Sequence, residues 1–345
     1  MPGPLPLSEA GGESVGGMGP TDAIVAVTLN CNSRCTMCDI WKNRMKDEMQ
    51  PEEYRALPSS LKGVNITGGE PFMRKDLPGI IRVIKDSCPQ ARIVISSNGF
   101  LPDRVEAMIP DMLSADPNIA VRISIDGLEK THETVRGIPG GFRRDMESLN
   151  ILRRLGVHDL GIGMTVMESN ISELPDVYAL SRDLGVEMSV TIATDSEVFF
   201  GEQKEALRPR DTEALQAVFR DLIRSEYASW RPKRWFRAWY EKHLVRYALG
   251  HGRPIACDAG RGFFYLDSHG NVYACHILPT FMGSLRKQTW EEIWGSIEAE
   301  GVRAEIDGCE RCWMICTAKS AVRKNLFEIC LEVLGDKARI HLALQ

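Results

Sequence analysis

The sequence predicts an α/β protein built on a parallel sheet, followed by a small α+β unit near its C-terminal end. Three observations lead there. Between residues 23 and about 195, six short β-rich runs alternate with amphipathic stretches of helix length. That alternation is the pattern of βαβ units, whose strands lie parallel. After residue 254 it gives way to a hairpin pattern among closely spaced cysteines. The ten cysteines themselves fall in two clusters, Cys31 to Cys38 and Cys257 to Cys330, with Cys88 alone between them.

Taken in order, residues 1–20 are rich in Gly and Pro, lack a basic start and an apolar core, and read as a disordered leader rather than a signal peptide. Ala23–Leu29 is an apolar run leading into the first cysteines, and Val64–Thr67 ends at two glycines. Arg92–Ser97 ends at Asn98-Gly99, and Ala120–Ile125 ends at Asp126-Gly127. Gly161–Val166 and Glu187–Ile192 supply two further strands. Leu77–Lys85, Arg104–Leu113, Arg143–Leu155 and Leu174–Leu184 carry helical periodicity between them. The strand C-termini of such a sheet share one edge, where the loops carry chemistry, and the first cysteine loop, Gly68-Gly69, Asn98-Gly99 and Asp126-Gly127 all lie at that edge. The expected organisation is the leader at 1–20, a core at 21–195, a helical bridge at 196–253, a cluster-binding unit at 254–330 and a tail at 331–345.

Composition excludes several classes. A net charge of −5 gives no global attraction to nucleic acid. No stretch reaches the roughly 18 consecutive apolar residues needed to span a bilayer. Close cysteine spacings in a chain of 345 residues point to metal ligation in a reducing compartment, and hence to the cytoplasm. Cys88, just before Pro89, reads as an ordinary semi-buried thiol.

The run Cys31-Asn-Ser-Arg-Cys35-Thr-Met-Cys38 places three thiols on one short loop. Three thiolates hold three irons of a [4Fe–4S] cube and leave the fourth open, whereas cubanes are normally held by four cysteines. The alternative is part of a zinc site, but zinc sites usually pair two Cys-x2-Cys units. About thirty residues on stands Gly68-Gly69-Glu70-Pro71. The two motifs together resemble the radical S-adenosylmethionine (radical SAM) enzymes. The resemblance implies a partial (β/α)6 TIM-like barrel in which S-adenosylmethionine (SAM) chelates the open iron. It also implies reductive cleavage of SAM to a 5′-deoxyadenosyl radical, and an electron donor such as flavodoxin or ferredoxin.

Members often carry an aromatic residue before the third cysteine; Met37 takes that place, so an adenine contact there is sulfur–π or apolar. By resemblance, Gly68 and Gly69 let the backbone approach the methionyl group, Pro71 fixes the turn and Glu70 supplies a carboxylate nearby. Asn98, Ser124 and Asp126 are expected at the ribose or the methionyl carboxylate. Arg136 either clamps that carboxylate or, with His132, belongs to a solvated loop.

The second cluster comprises Cys257, Cys275, Cys309, Cys312, Cys316 and Cys330. Phe263–Leu266 and Gly270–Cys275 form a hairpin, Trp290–Trp294 opens a helix, and Cys309-x2-Cys312-x3-Cys316 closes the unit. This order resembles the SPASM and Twitch auxiliary domains over roughly residues 255–320. Two cysteine-ligated cubanes need eight cysteines, so one auxiliary [4Fe–4S] cluster is expected. Cys257 and Cys275 are ligands, joined by two of Cys309, Cys312 and Cys316; zinc is the competing occupant. Cys330 shares an apolar helical face with Leu326, Phe327, Leu331 and Leu334 and is expected in the core.

In Trp230–Tyr247, the aromatics Trp235, Phe236, Trp239, Tyr240 and Tyr247 share one helical face with Leu244, and Arg234, Arg237, Lys242 and Arg246 lie mostly opposite. A helix packed on the barrel with solvated cations is the expectation; a lid, or an interfacial helix on lipid, is the other reading. The expected activity is hydrogen abstraction from an unactivated C–H bond of a small metabolite such as a sugar, nucleoside, lipid-linked or natural-product intermediate. Peptide modification stands second, because the first strand begins too early to leave room for a leader-recognition domain. A two-cluster electron carrier is the reading from another class, and the missing fourth cysteine counts against it.

Overall fold

The computed structural model describes residues 19–43, 46–194, 196 and 207–343, the last three as backbone. Nine strands form one sheet in the order β6-β5-β4-β3-β2-β1-β7-β8-β9. The first six are β1 (Asp22–Thr28), β2 (Gly63–Gly68), β3 (Arg92–Ser97), β4 (Ala120–Ser124), β5 (Asp159–Val166) and β6 (Glu187–Ile192). Each pairs with its successor in parallel. This is the expected partial TIM-like barrel, and the sheet does not close on itself. β1 is buried along its whole length, as a central strand of a parallel sheet should be, whereas in β3 and β6 buried positions alternate with partly exposed ones.

The crossovers are α1 (Leu77–Ser87), α2 (Pro102–Ala115), α3 (Glu129–Arg136), α4 (Gly141–Arg154) and α5 (Leu174–Asp183). No helix was expected over residues 129–136, where Arg136 stood either as a carboxylate clamp or, with His132, as part of a solvated loop. Those residues form α3 instead, ending at Gly137 with φ of 67°, and bury His132, Val135 and Arg136. Far from being solvated, His132 is fully buried between Phe100 and Phe142, with ring centroids 5.9 and 6.0 Å away.

Two long helices follow, α6 (Thr212–Ala228) and α7 (Pro232–Ala248). Beyond them the sheet resumes. β7 (Phe263–Leu266) pairs in parallel with β1, then β8 (Asn271–Tyr273) and β9 (Phe281–Ser284) continue antiparallel. The chain ends in α8 (Trp290–Trp294), α9 (Ile297–Glu305), α10 (Ile315–Lys324) and α11 (Leu326–Ala343).

The aromatic face of α7 is buried, with Trp239, Tyr240 and Leu244 at most 5% exposed. The helix contacts β6 of the barrel, as expected, while Trp239 itself packs on Trp313 and its Nε1 donates to Glu332 of α11 at 2.6 Å. Of the four cations, Arg246 is exposed as expected, and the other three are paired. Arg234 pairs with Glu226, Arg237 with Glu226 and Glu187, and Lys242 with Glu332 and Asp336. On α11 it is Ile329 and Val333 that enter the core. The face expected there is turned outward: Leu326, Phe327, Leu331 and Leu334 are 48–73% exposed and Cys330 is half-buried. No helix among the described residues is long and apolar enough to cross a membrane.

Candidate active site

The C-terminal ends of β1 to β6 open into a cavity of ≈ 350 Å3. Strand side chains alternate, and the inward positions here are polar: Asn65 and Thr67 of β2, Ser96 of β3, Ser124 of β4, Thr165 of β5 and Thr191 of β6. Their neighbours Ile66, Ile95, Ile123, Met164 and Val190 lie in the apolar core. A closed barrel fills its centre with branched apolar residues; this open one keeps a lumen lined with hydroxyls, the composition of a ligand site.

β1 delivers the cysteine loop to the rim, where Cys31, Cys35, Met37 and Cys38 all border the cavity. The end of α3 straps that loop. Arg34 N donates to Arg136 O at 3.0 Å, Thr36 N to Val135 O at 2.9 Å, and Ser33 Oγ to Arg136 O at 3.0 Å. Burial pushes the Cys31 thiol up to about 12 and that of Cys38 up to about 11. Such thiols ionise at neutral pH only when a cation replaces their lost hydration, so the donor set fits an iron–sulfur cluster.

The glycine pair has a purpose the sequence did not reveal. Gly68 has φ of +126°, and a Cβ there would lie 2.0 Å from Thr28 O; one on Gly69 would lie 2.1 Å from Asn30 O. The end of β2 therefore runs flush against the stem of the cysteine loop, through Gly69 N to Thr28 O at 2.7 Å and Glu70 N to Asn30 O at 2.9 Å. Both glycines also border the cavity. Glu70 and Pro71 stand behind that wall. Glu70 is fully buried; its Oε1 accepts from Phe72 N at 3.0 Å and Ser97 Oγ at 2.9 Å, and its Oε2 from Asn98 N at 2.7 Å. Burial pushes this carboxyl up to about 7 against the pull of those bonds. It ties the end of β2 to the end of β3 and so fixes Asn98, whose Nδ2 donates to Asn32 at 2.7 Å within the cysteine loop.

Asp126 is also fully buried and lies behind the lining. Its Oδ2 lies 2.6 Å from Arg136 Nε, and its Oδ1 accepts from Thr165 N at 2.8 Å. Asp126 N donates to His132 Nδ1 at 3.1 Å, and His132 Nε2 lies 2.9 Å from Asp145 Oδ2. Burial pushes His132 down to about 3 and Asp145 well up. The ring is therefore neutral, with Nδ1 the acceptor. Arg136 borders the cavity, and its Nη1 lies 3.6 Å from Cys35 Sγ. The His132–Asp145 pair was missed because a polar octapeptide after Asp126-Gly127 carries no apolar period to betray a buried helix.

In the C-terminal unit, burial raises the thiols of Cys257 and Cys275, and pushes Cys312 to about 11 and Cys316 to about 12. Cys257 and Cys309 lie close enough to raise Cys275, and Cys257 and Cys275 to raise Cys312. Of the five, Cys316 alone borders the main cavity, with its Sγ 4.0 Å from His276 Nε2. Cys88 is buried against Pro58 O at 3.4 Å, an ordinary structural thiol.

Residues 25–180 match the radical SAM superfamily, and residues 257–313 match SPASM, an iron–sulfur cluster-binding domain. The chain belongs to the radical SAM superfamily and carries a C-terminal SPASM domain, and such domains hold [4Fe–4S] clusters and bind SAM. It is 30% identical over 344 residues to Fe-coproporphyrin III synthase of Methanosarcina barkeri, covering 86% of this chain and 82% of that protein. It is 24% identical over 308 residues to the PqqA peptide cyclase of Rhodopseudomonas palustris, covering 81% and 74%. The fold is that of native anSMEcpe with bound AdoMet, at a TM-score of 0.63 and 14% identity over 93% of this chain and 100% of that one.

Proposed function

We propose that this radical SAM enzyme takes a hydrogen atom from a C–H bond of a peptide substrate, with one auxiliary [4Fe–4S] cluster at its C-terminal unit. The small-metabolite reading loses ground to peptide modification, because relatives of this chain include a peptide cyclase. The observation that carries the proposal is the lining of the cavity. Among the described residues Arg136 is its one side chain with a permanent charge, and it is engaged by Asp126; the rest is hydroxyl, amide, imidazole, thiol and apolar. Such a wall suits an uncharged peptide side chain inserted beside the cofactor. When bound, the cluster and SAM supply the electron and the 5′-deoxyadenosyl radical. Cys31, Cys35 and Cys38 hold the cluster, the Gly68–Gly69 backbone forms the lip against the methionyl group, and Asn98 and Ser124 offer hydrogen bonds to the sugar or carboxylate. Glu70, Pro71 and Asp126 act one layer back by fixing these groups.

The second reading, modification of a tetrapyrrole, draws on the 30% identity to Fe-coproporphyrin III synthase. The two separate in one assay. Reconstituted protein with SAM and dithionite is expected to form 5′-deoxyadenosine at least tenfold faster with short peptides encoded beside its gene than alone. Stimulation by Fe-coproporphyrin III and by none of the peptides would turn the assignment to the tetrapyrrole.

We take Cys257, Cys275, Cys309 and Cys312 as the auxiliary ligands because all four fall inside the SPASM match; Cys316 lies beyond that match and borders the cavity, although Cys312 and Cys275 lie close enough to raise its thiol too. Reconstituted protein is expected to hold about eight irons as two cubanes. Cys316→Ser should keep about eight and Cys312→Ser about four. About four irons with one zinc in the unaltered protein would mark the C-terminal site as zinc.

A further inference from the structure

Arg136 is 9% exposed, and its guanidinium is shared between two partners. Nε meets Asp126 Oδ2 at 2.6 Å, and Nη1 points to Cys35 Sγ at 3.6 Å, within reach of an N–H···S hydrogen bond. Cys35 is itself 9% exposed, and its sulfur also meets Ser33 Oγ at 3.0 Å. The fork is held from behind: Thr165 N pins Asp126, His132 Nδ1 accepts from the Asp126 amide, and Asp145 lies against His132. A cation is thus fixed at one sulfur of the cysteine triplet, and a carboxylate is fixed on the cation's far side.

Hydrogen bonds to sulfur and nearby charge are among the main determinants of an iron–sulfur potential. Water screens little in a buried site, so a guanidinium at the ligand sulfur favours the more negative, reduced cluster. The carboxylate opposes it from a greater distance. Arginine suits the task because its rigid planar fork spans two acceptors at once, which an ammonium cannot do in the same way.

We propose that Arg136 raises the reduction potential of the cluster held by Cys31, Cys35 and Cys38 by donating from Nη1 to the Cys35 sulfur, and that Asp126 limits the rise. This rests on those three cysteines being cluster ligands. Arg136 is a positioning residue whose charge sets how readily the cluster accepts the electron that starts the reaction.

The test is an EPR-monitored redox titration of the reconstituted full chain without SAM, so that no contact with the cofactor's carboxylate contributes. Relative to the unaltered protein, Arg136→Met is expected to shift the midpoint of the N-terminal cluster to lower potential and Asp126→Asn to higher potential. Arg136→Lys should return most of the way, and the auxiliary midpoint should stay put in all three. Loss of packing alone cannot move one cluster in opposite directions. An unchanged midpoint in Arg136→Met at full iron content, or shifts of the same sign in both variants, would overturn the proposal. Should Arg136→Met fail to take up iron, Asp126→Asn decides alone, and a midpoint equal to or below that of the unaltered protein is the overturning result. Iron content unchanged by Cys35→Ala would instead remove the cluster assignment beneath it.

Discussion

Cys35→Ala should abolish dithionite-dependent formation of 5′-deoxyadenosine and reduce the iron content from about eight to about four per chain. Cys35 is the most enclosed of the three thiols, and its sulfur is the one contacted by Ser33 Oγ and Arg136 Nη1. Removing it leaves two ligands for three irons and an unpaired guanidinium facing the gap. Water cannot easily stand in, because the loop is strapped by three hydrogen bonds to the last residues of α3. The auxiliary signal should persist, since Cys257, Cys275, Cys309 and Cys312 belong to a separate part of the chain. Iron analysis and EPR read the two clusters apart. Cleavage of SAM at the unaltered rate would remove the cysteine triplet from the site.

Trp239→Ala should cost about 3–5 kcal/mol of stability, read as a lower melting temperature. The ring is 2% exposed and lies edge-on to Trp313 with centroids 5.9 Å apart. Its Nε1 donates to Glu332, the carboxylate that also receives Lys242 and His243. Truncation opens a cavity where α7, α11 and the residue after Cys312 meet, and takes a donor from that carboxylate. The same geometry bears on lipid. An interfacial helix needs apolar side chains free to enter the headgroups and cations free to meet them. Here Trp239 and Tyr240 are buried, Trp235, Phe236 and Tyr247 are half-buried, and Arg234, Arg237 and Lys242 are paired within the protein, leaving Arg246 as the exposed cation of the helix. Unaltered protein is therefore expected not to float with anionic liposomes. Salt-sensitive flotation, with no change of melting temperature in Trp239→Ala, would reverse this and point to a lipid-borne substrate.

What could be read from the residues followed the strength of their periodicity. β1 to β6 were legible because each is a short apolar run with a turn behind it. Their C-terminal ends gather round one cavity, with Gly68, Gly69, Asn98 and Ser124 at its lining and Glu70, Pro71 and Asp126 behind it, because a parallel sheet puts those ends on one edge. α3 was not legible: Glu129–Arg136 is polar, and its burial comes from ion pairs and hydrogen bonds that no hydropathy pattern records. α11 misled in the opposite sense. Leu326, Phe327, Cys330, Leu331 and Leu334 make a continuous stripe, yet the two residues that enter the core are Ile329 and Val333. A helix apolar on two sides does not say which side wins. The roles of Glu70 and Asp126 were blurred for a related reason, since a carboxylate beside a ligand and one behind the wall share the same sequence signature. Only the identity of their donors, Asn98 N and Thr165 N, tells them apart.

The pairing of β1 with β7 has a consequence for biogenesis. The strand that carries the cysteine triplet has β2 on one side, some forty residues away, and on the other a strand some two hundred and forty residues further along the chain. Until residues 263–266 have been synthesised and have closed that distance, β1 is an open edge, apolar from Ala23 to Val27, and such an edge invites pairing with other chains. Long-range parallel pairing of this kind is slow to form. A gene shortened before β7 should yield inclusion bodies rather than a smaller working barrel.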